Sequence, residues 1–252
     1  MKPIITTLIV LFIHCCANIA QDTLYMMKSG VVISKQAVTD IDSIIFYRPG
    51  ASSAITVTDY DGNVYPTVTI DTQTWMAKNL RTTRYNDGSG IPLVKDSAAW
   101  IILETPGYCW YNNDSMANAE PYGALYNWYA ADTSKLCPAG WHVPRDDEWT
   151  ALTDYLGGED VAGGKLKEAG TTHWMVPDTG ATNEYGFTAL PGGFRGTFDG
   201  RFDDKGARGE WWSSTGISLT DAYVRSMSLA SNKVERSNYF KKRGISVRCL
   251  KD

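Results

Sequence analysis

From Gly157 to Glu210 the chain is Gly-rich and holds little sustained hydrophobic period, and this interval limits the folds open to it. A doubly wound parallel sheet needs strands and helices alternating at regular spacing, which this stretch does not supply. Two helical patterns precede it. In Pro121–Ala131, Tyr122, Leu125, Tyr126 and Tyr129 fall at i, i+3, i+4 and i+7, Pro121 suits a first turn and Glu120 complements its dipole, so the spacing predicts a helix there. A second helix is predicted over 146–156. Trp149, Leu152 and Leu156 share its face, Asp146-Asp147-Glu148 load its start and Gly157-Gly158 end it. Short β-prone runs occupy the rest: Val64-Tyr65, Thr67–Ile70, Gln73–Met76 across an Asp71-Thr72 turn, Trp211–Thr215, Ala222–Met227 and Ile245–Leu250. The pattern predicts an α+β fold on an antiparallel sheet, with a long loop region between helices and late strands.

The first twenty residues read as an export signal. A short positive start is followed by the apolar run Ile4–Ile13 and by small residues leading to a cut after Ala20. The rival reading is a lipid anchor on Cys15 or Cys16. Residues 21–50 then form a short β segment, with Leu24–Met27, Val31–Ile33 and Ile44–Tyr47 as its runs, and 51–58 has linker composition after Arg48-Pro49-Gly50. Residues 59–252 are expected to be one domain. Beyond the leader no segment is apolar and long enough to span a membrane.

Composition removes several function classes. A net charge of −4 leaves no electrostatic footprint for nucleic acid, and Lys241, Lys242, Arg243 and Arg248 read as a solvated strand edge. Gly163-Gly164-Lys165 lacks the rest of a phosphate-binding loop. Past the leader only His142 and His173 remain, too few for His-based zinc sites, serine triads and most acid–base schemes. Cys109, Cys137 and Cys249 also remain. In an oxidising compartment two are expected to pair and one to be left over.

Seven stretches in order carry a family resemblance over about three quarters of the chain: Gln73–Leu80, Gly107–Asp114, Tyr122–Tyr129, Cys137–Pro144, Leu190–Arg195, Trp211–Thr215 and Gly244–Leu250. They resemble the Fibrobacter succinogenes major paralogous domain, a family of exported bacterial domains. That family is similar in turn to the C-type-lectin-like fold shared with formylglycine-generating enzymes. The resemblance implies a Cys137–Cys249 disulfide between the region after the first helix and the closing strand. Cys109 is then expected to be a buried, unbridged residue. The sequence departs from the pattern at Arg145, where Ser or Thr would cap the second helix, and at Asp71, where a turn Gly is expected.

Lectin-like folds place ligands at their long loop region, so Trp174, Phe194, Phe198, Trp211 and Trp212 are the candidate ligand-binding residues, with one or two of the nine tryptophans at the surface. No cofactor and no metal site is expected. The oxygen-rich groups Asn112-Asn113-Asp114, Asp178 with Asn183-Glu184, and Asp199 with Asp203-Asp204 leave room for one structural calcium but read first as turns. The expected function is an exported, secreted or cell-surface binding module for an extracellular glycan or protein. The alternatives are a structural or adhesion component and, third, a formylglycine-generating-type enzyme. Arg225–Phe240 holds no cysteine pair, which counts against that third reading, and no catalytic residue is assigned.

Overall fold

The computed structural model describes residues 23–28, 31–37 and 55–252, and the chain divides into two compact units, Met1–Ala51 and Ser52–Asp252. The expected export signal and the run 44–47 lie outside the described residues. In the first unit β1 (Thr23–Lys28) pairs antiparallel with β2 (Val31–Ala37), with a bulge at Met26/Met27, as two adjacent β-prone runs predict.

Along the second unit the elements are β3 (Thr56–Thr58), β4 (Val64–Ile70), β5 (Gln73–Met76), α1 (Ser97–Ile101) and β6 (Tyr108–Cys109). Then come α2 (Ser115–Tyr122), β7 (Leu125–Tyr126), α3 (Trp128–Ala131), β8 (Trp141–His142), α4 (Asp146–Tyr155) and α5 (Glu159–Leu166). The late strands are β9 (Gly192–Arg195), β10 (Phe202–Lys205), β11 (Arg208–Gly216), β12 (Asp221–Ser228), β13 (Glu235–Phe240) and β14 (Leu250–Lys251). The unit is thus mixed α and β with antiparallel sheets, as its pattern predicts. One sheet has the order β3-β4-β5-β14-β8, so the last strand lies between strands from the start and middle of the unit. Leu250 faces Trp75 on one side and His142 on the other. Another sheet is β11-β12-β13, and β9-β10 and β6-β7 are two-stranded. Residues 56–58 correct the linker expectation: Thr56 pairs with Pro66 and Thr58 with Val64, extending the first sheet.

The helix expected over 146–156 is α4, with Trp149 and Leu152 buried. Arg145 supplies no capping oxygen. Glu148 accepts the Arg145 backbone N–H at 2.7 Å, and Thr215 Oγ1, brought in by β11, accepts from Asp146 N–H at 3.0 Å. A distant hydroxyl thus satisfies one of the free N–H groups of the first turn.

The helix expected over 121–131 is a correction. Pro121 and Tyr122 end α2, the chain turns through Gly123 at φ +77°, and only 128–131 is helical again. A Cβ at Gly123 would stand 2.6 Å from the Leu80 carbonyl oxygen, so close backbone contact fixes the break. Asn127 then caps α3, accepting from Ala130 N–H at 3.1 Å. The interval 157–210 also differs from a continuous loop region, because it contains α5, β9 and β10. Gly163 and Gly164 lie within α5 despite their poor helix propensity. A Cβ at either would press on the Lys233 or Gly180 carbonyl, at 2.4 and 2.6 Å.

Two large cores divide the tryptophans. Trp211 belongs to the one holding Trp75, Trp149 and Trp174, and Trp212 to the one holding Tyr126, Trp128 and Trp141. Side chains on a strand alternate between faces, so adjacent residues of β11 reach different cores. Cys137 and Cys249 form the disulfide the resemblance implies, with Cα atoms 6.0 Å apart across a separation of 112 residues. Cys109 is free and fully buried.

Candidate functional site

All nine tryptophans are buried, each at 8% exposure or less. This corrects the assignment of Trp174, Trp211 and Trp212 to a ligand surface. Their indole N–H groups are also occupied, donating to Ala189 O at 3.0 Å, Asn79 Oδ1 at 2.8 Å and Tyr126 O at 2.8 Å respectively. Phe194 is half-buried, and its ring face carries the Arg243 guanidinium at 3.5 Å. Of the five candidates only Phe198 stands clear, at 80% exposure.

Phe198 lines an open groove of about 390 Å³. Its ring meets Phe240 edge to face, with centroids 5.4 Å apart, and Leu219, at 93% exposure, is on the same groove. The polar part consists of Glu104 and Lys242, an ion pair at 2.8 Å, with Tyr129, Thr197 and Thr220. Burial, and then the neighbouring Glu104 carboxylate, push the Tyr129 phenol up, so it remains a neutral hydroxyl donor at physiological pH. Sequence reasoning missed Glu104, Tyr129, Leu219, Phe240 and Lys242. Leu219 left no distinguishing signal, since a single apolar residue in a polar turn is ordinary on a protein surface.

The groove is assembled from separate parts of the chain, each held by specific bonds. The β9–β10 turn, which carries Thr197 and Phe198, closes with Gly196 N–H on Arg201 O at 2.7 Å and Asp199 Oδ1 on Arg201 N–H at 3.1 Å. Gly200, at φ +65°, lies against Ser97 at the start of α1, where a Cβ would approach to 2.9 Å. Buried Arg195 ties the two together. It donates to Gly200 O at 3.0 Å, Val94 O at 2.6 Å and Lys95 O at 2.8 Å, and its guanidinium stacks on Trp100 and Phe202 at 4.6 and 4.9 Å. On the other wall Lys241 Nζ reaches Ser218 O at 2.8 Å and lies over Trp128 at 4.0 Å, while Lys241 N–H meets Thr220 O at 2.7 Å. The rim is preorganised backbone.

The late basic residues are a second correction. Lys241 and Arg248 are buried, and only Lys242 of that group serves the groove. Arg248 binds Asn79 Oδ1 at 2.7 Å and the Phe187 and Thr188 carbonyls, and complete burial pulls its pKa down to about 9. The two histidines are also committed. His142 lies between Asp252 Oδ1 at 2.5 Å and Glu148 Oε2 at 3.0 Å, and His173 Nδ1 pairs with Glu168 at 2.9 Å. Several members of the oxygen-rich groups have protein partners. Asp114 caps α2, Asp178 pairs with buried Lys167 at 3.0 Å, and Asn183 Oδ1 accepts from Thr188 N–H at 2.8 Å. Among the described residues no group of three or more His, Cys, Asp or Glu is placed to hold a metal, and no helix is long and apolar enough to cross a membrane.

The Fibrobacter succinogenes major domain matches residues 68–251 of the chain. The chain belongs to that family. Neither a curated protein nor a solved structure matches it. Several of the stretches that carry the Fibrobacter succinogenes major domain resemblance now have a physical role. Gly193, at φ +65°, admits the Asp203 carbonyl where a Cβ would come within 2.3 Å, and Arg195 two residues on is the clamp beneath the groove. Trp211-Trp212 spans the two cores, and Gly244 lies against Trp100 and Arg195, with a Cβ there meeting Trp100 at 2.8 Å. These motif residues build the scaffold, whereas Phe198, Leu219 and Phe240 lie outside the seven stretches.

Proposed function

We propose that this protein is an exported binding module, secreted or held at the cell surface, and that it recognises a glycan in the groove lined by Phe198 and Phe240. The observation that carries the reading is a pair of exposed aromatic rings beside hydroxyl, carboxylate and ammonium groups on a fixed backbone frame. Sugars present apolar C–H faces and polar edges together, and exposed aromatic rings with adjacent hydrogen-bonding groups suit both. The groove volume of about 390 Å³ lies within the range of small-molecule sites. The same reading takes the domain as a C-type-lectin-like variant. Its support is the closing strand β14 set between β5 and β8, the disulfide reaching from Cys137 to Cys249, and α4 following β8. Export is supported by the leader pattern and by a disulfide that belongs in an oxidising compartment.

The test is affinity measured beside melting temperature on an oligosaccharide array. Phe198→Ala is expected to weaken glycan binding at least tenfold while melting within about 2 °C of the parent, because so exposed a ring contributes little to folding. Trp174→Ala is expected to destabilise by roughly 3–5 kcal/mol. Retention of glycans by a chain lacking the Phe198 ring, or binding of proteins alone, contradicts the assignment.

A further inference from the structure

Resting on that reading, we infer that the groove selects a neutral pyranose bearing a vicinal diol, and that Glu104 and Lys242 are the residues that select it. The pair stands at 2.8 Å on the same groove as the two phenylalanine rings. A carboxylate accepts from one hydroxyl and an ammonium donates to the next. Gauche vicinal hydroxyls of a pyranose are about 2.8 Å apart, close to the length of an O–H···O bond, so neighbouring oxygens match the pair's own spacing. Accessibility fits the role, since the Glu104 side chain is 70% exposed and that of Lys242 25%. Lys242 is therefore partly fixed among its neighbours and Glu104 is open to a ligand. Tyr129 adds a neutral hydroxyl, and its phenol is raised by burial and by Glu104.

Charge decides the class of sugar. Glu104 and Lys242 cancel, and the other lining residues, Ile101, Tyr129, Thr197, Phe198, Leu219, Thr220 and Phe240, carry no charge at neutral pH. The nearby Lys241 ammonium is engaged by Ser218 O and the Trp128 ring and does not line the groove. A uronic or sialic acid would bring its carboxylate beside Glu104, and among the described lining residues the one cation, Lys242, is already paired with Glu104. A neutral hexose meets no such repulsion and keeps both the stacking faces and the diol contacts.

The test measures equilibrium affinity of the disulfide-bonded protein for neutral gluco-, manno- and galacto-oligosaccharides and for chains of equal length ending in a uronic acid. The parent is expected to bind a neutral series at least tenfold more tightly than its uronic counterpart. Glu104→Gln frees Lys242 and is expected to cut that preference at least fivefold. Lys242→Met removes the donor and is expected to weaken neutral binding at least fivefold without restoring the acidic series. Both variants change exposed or part-exposed groups and are expected to melt as the parent does. A parent that binds through Phe198 but prefers the acidic series, or a Glu104→Gln variant with an unchanged ratio, overturns this inference and leaves glycan binding standing. Failure to bind any sugar overturns glycan recognition itself, and sugar binding insensitive to Phe198→Ala overturns the groove as its site.

Discussion

Replacing Arg195 with Met keeps most of the side chain's volume and removes its charge and its fork of donors. The buried guanidinium makes three charge-assisted bonds, to the carbonyls of Gly200, Val94 and Lys95, between the rings of Trp100 and Phe202. At about 1.5–3 kcal/mol each these bonds amount to roughly 4–9 kcal/mol. Removing a buried charge relieves its desolvation, and two of the freed carbonyls belong to residues that are not fully buried and can reach water. The net loss is therefore expected at about 3–5 kcal/mol. For a domain of this size that is a fall in melting temperature of roughly 6–20 °C. Urea denaturation followed by tryptophan fluorescence measures it directly. Because the same bonds hold the turn that carries Phe198, binding at the groove should weaken at temperatures where the variant is still folded. Arg195→Lys keeps the charge without the planar fork and should recover less than half of the stability. A loss below about 1 kcal/mol for Arg195→Met, or unchanged groove affinity in the folded variant, would refute the clamp.

Replacing Cys137 and Cys249 together with Ser opens a loop of 112 residues, and the chain-entropy relation puts the loss at about 4.8 kcal/mol, read as a lower urea midpoint under identical buffer. Burial pushes the Cys109 thiol up to about 12, so it should resist a disulfide-exchange reagent at pH 8 and react once the protein is unfolded. The same shift sets a pH dependence. The folded-state pKa lies above the ordinary value of 9.0, so stability is full below pH 9 and falls as pH rises toward 12. Between those values the slope is about 1.4 kcal/mol per pH unit, and Cys109→Ala should remove that part of the alkaline decline in chemical denaturation.

Legibility in the sequence followed how local the determining physics is. α4 was readable because its acidic first turn, its apolar face and its terminating glycines all lie within its own residues. The spacing of Tyr122, Leu125, Tyr126 and Tyr129 looked equally helical, yet contact between Gly123 and Leu80 breaks the run, and those residues are distributed over α2, β7 and α3. α5 was hidden for the opposite reason: its two glycines lower local propensity and are explained only by the carbonyls of Gly180 and Lys233 pressing on them. Composition near the long interval pointed to tryptophan at the surface, but the period of β11 sends Trp211 and Trp212 into two cores. Phe198 was identifiable as one of the aromatics bordering the long interval where lectin-like folds place ligands. Its neighbours Glu104, Leu219, Phe240 and Lys242 join it only through the tertiary fold.

Occupation of this groove by a sugar is tested most directly by amide chemical-shift mapping during oligosaccharide titration. Concentration-dependent shifts are expected, confined to the backbone around Glu104, Tyr129, Thr197–Phe198, Leu219–Thr220 and Phe240–Lys242, and abolished in Phe198→Ala. Saturable shifts centred elsewhere on the domain, with these amides unmoved, would contradict it.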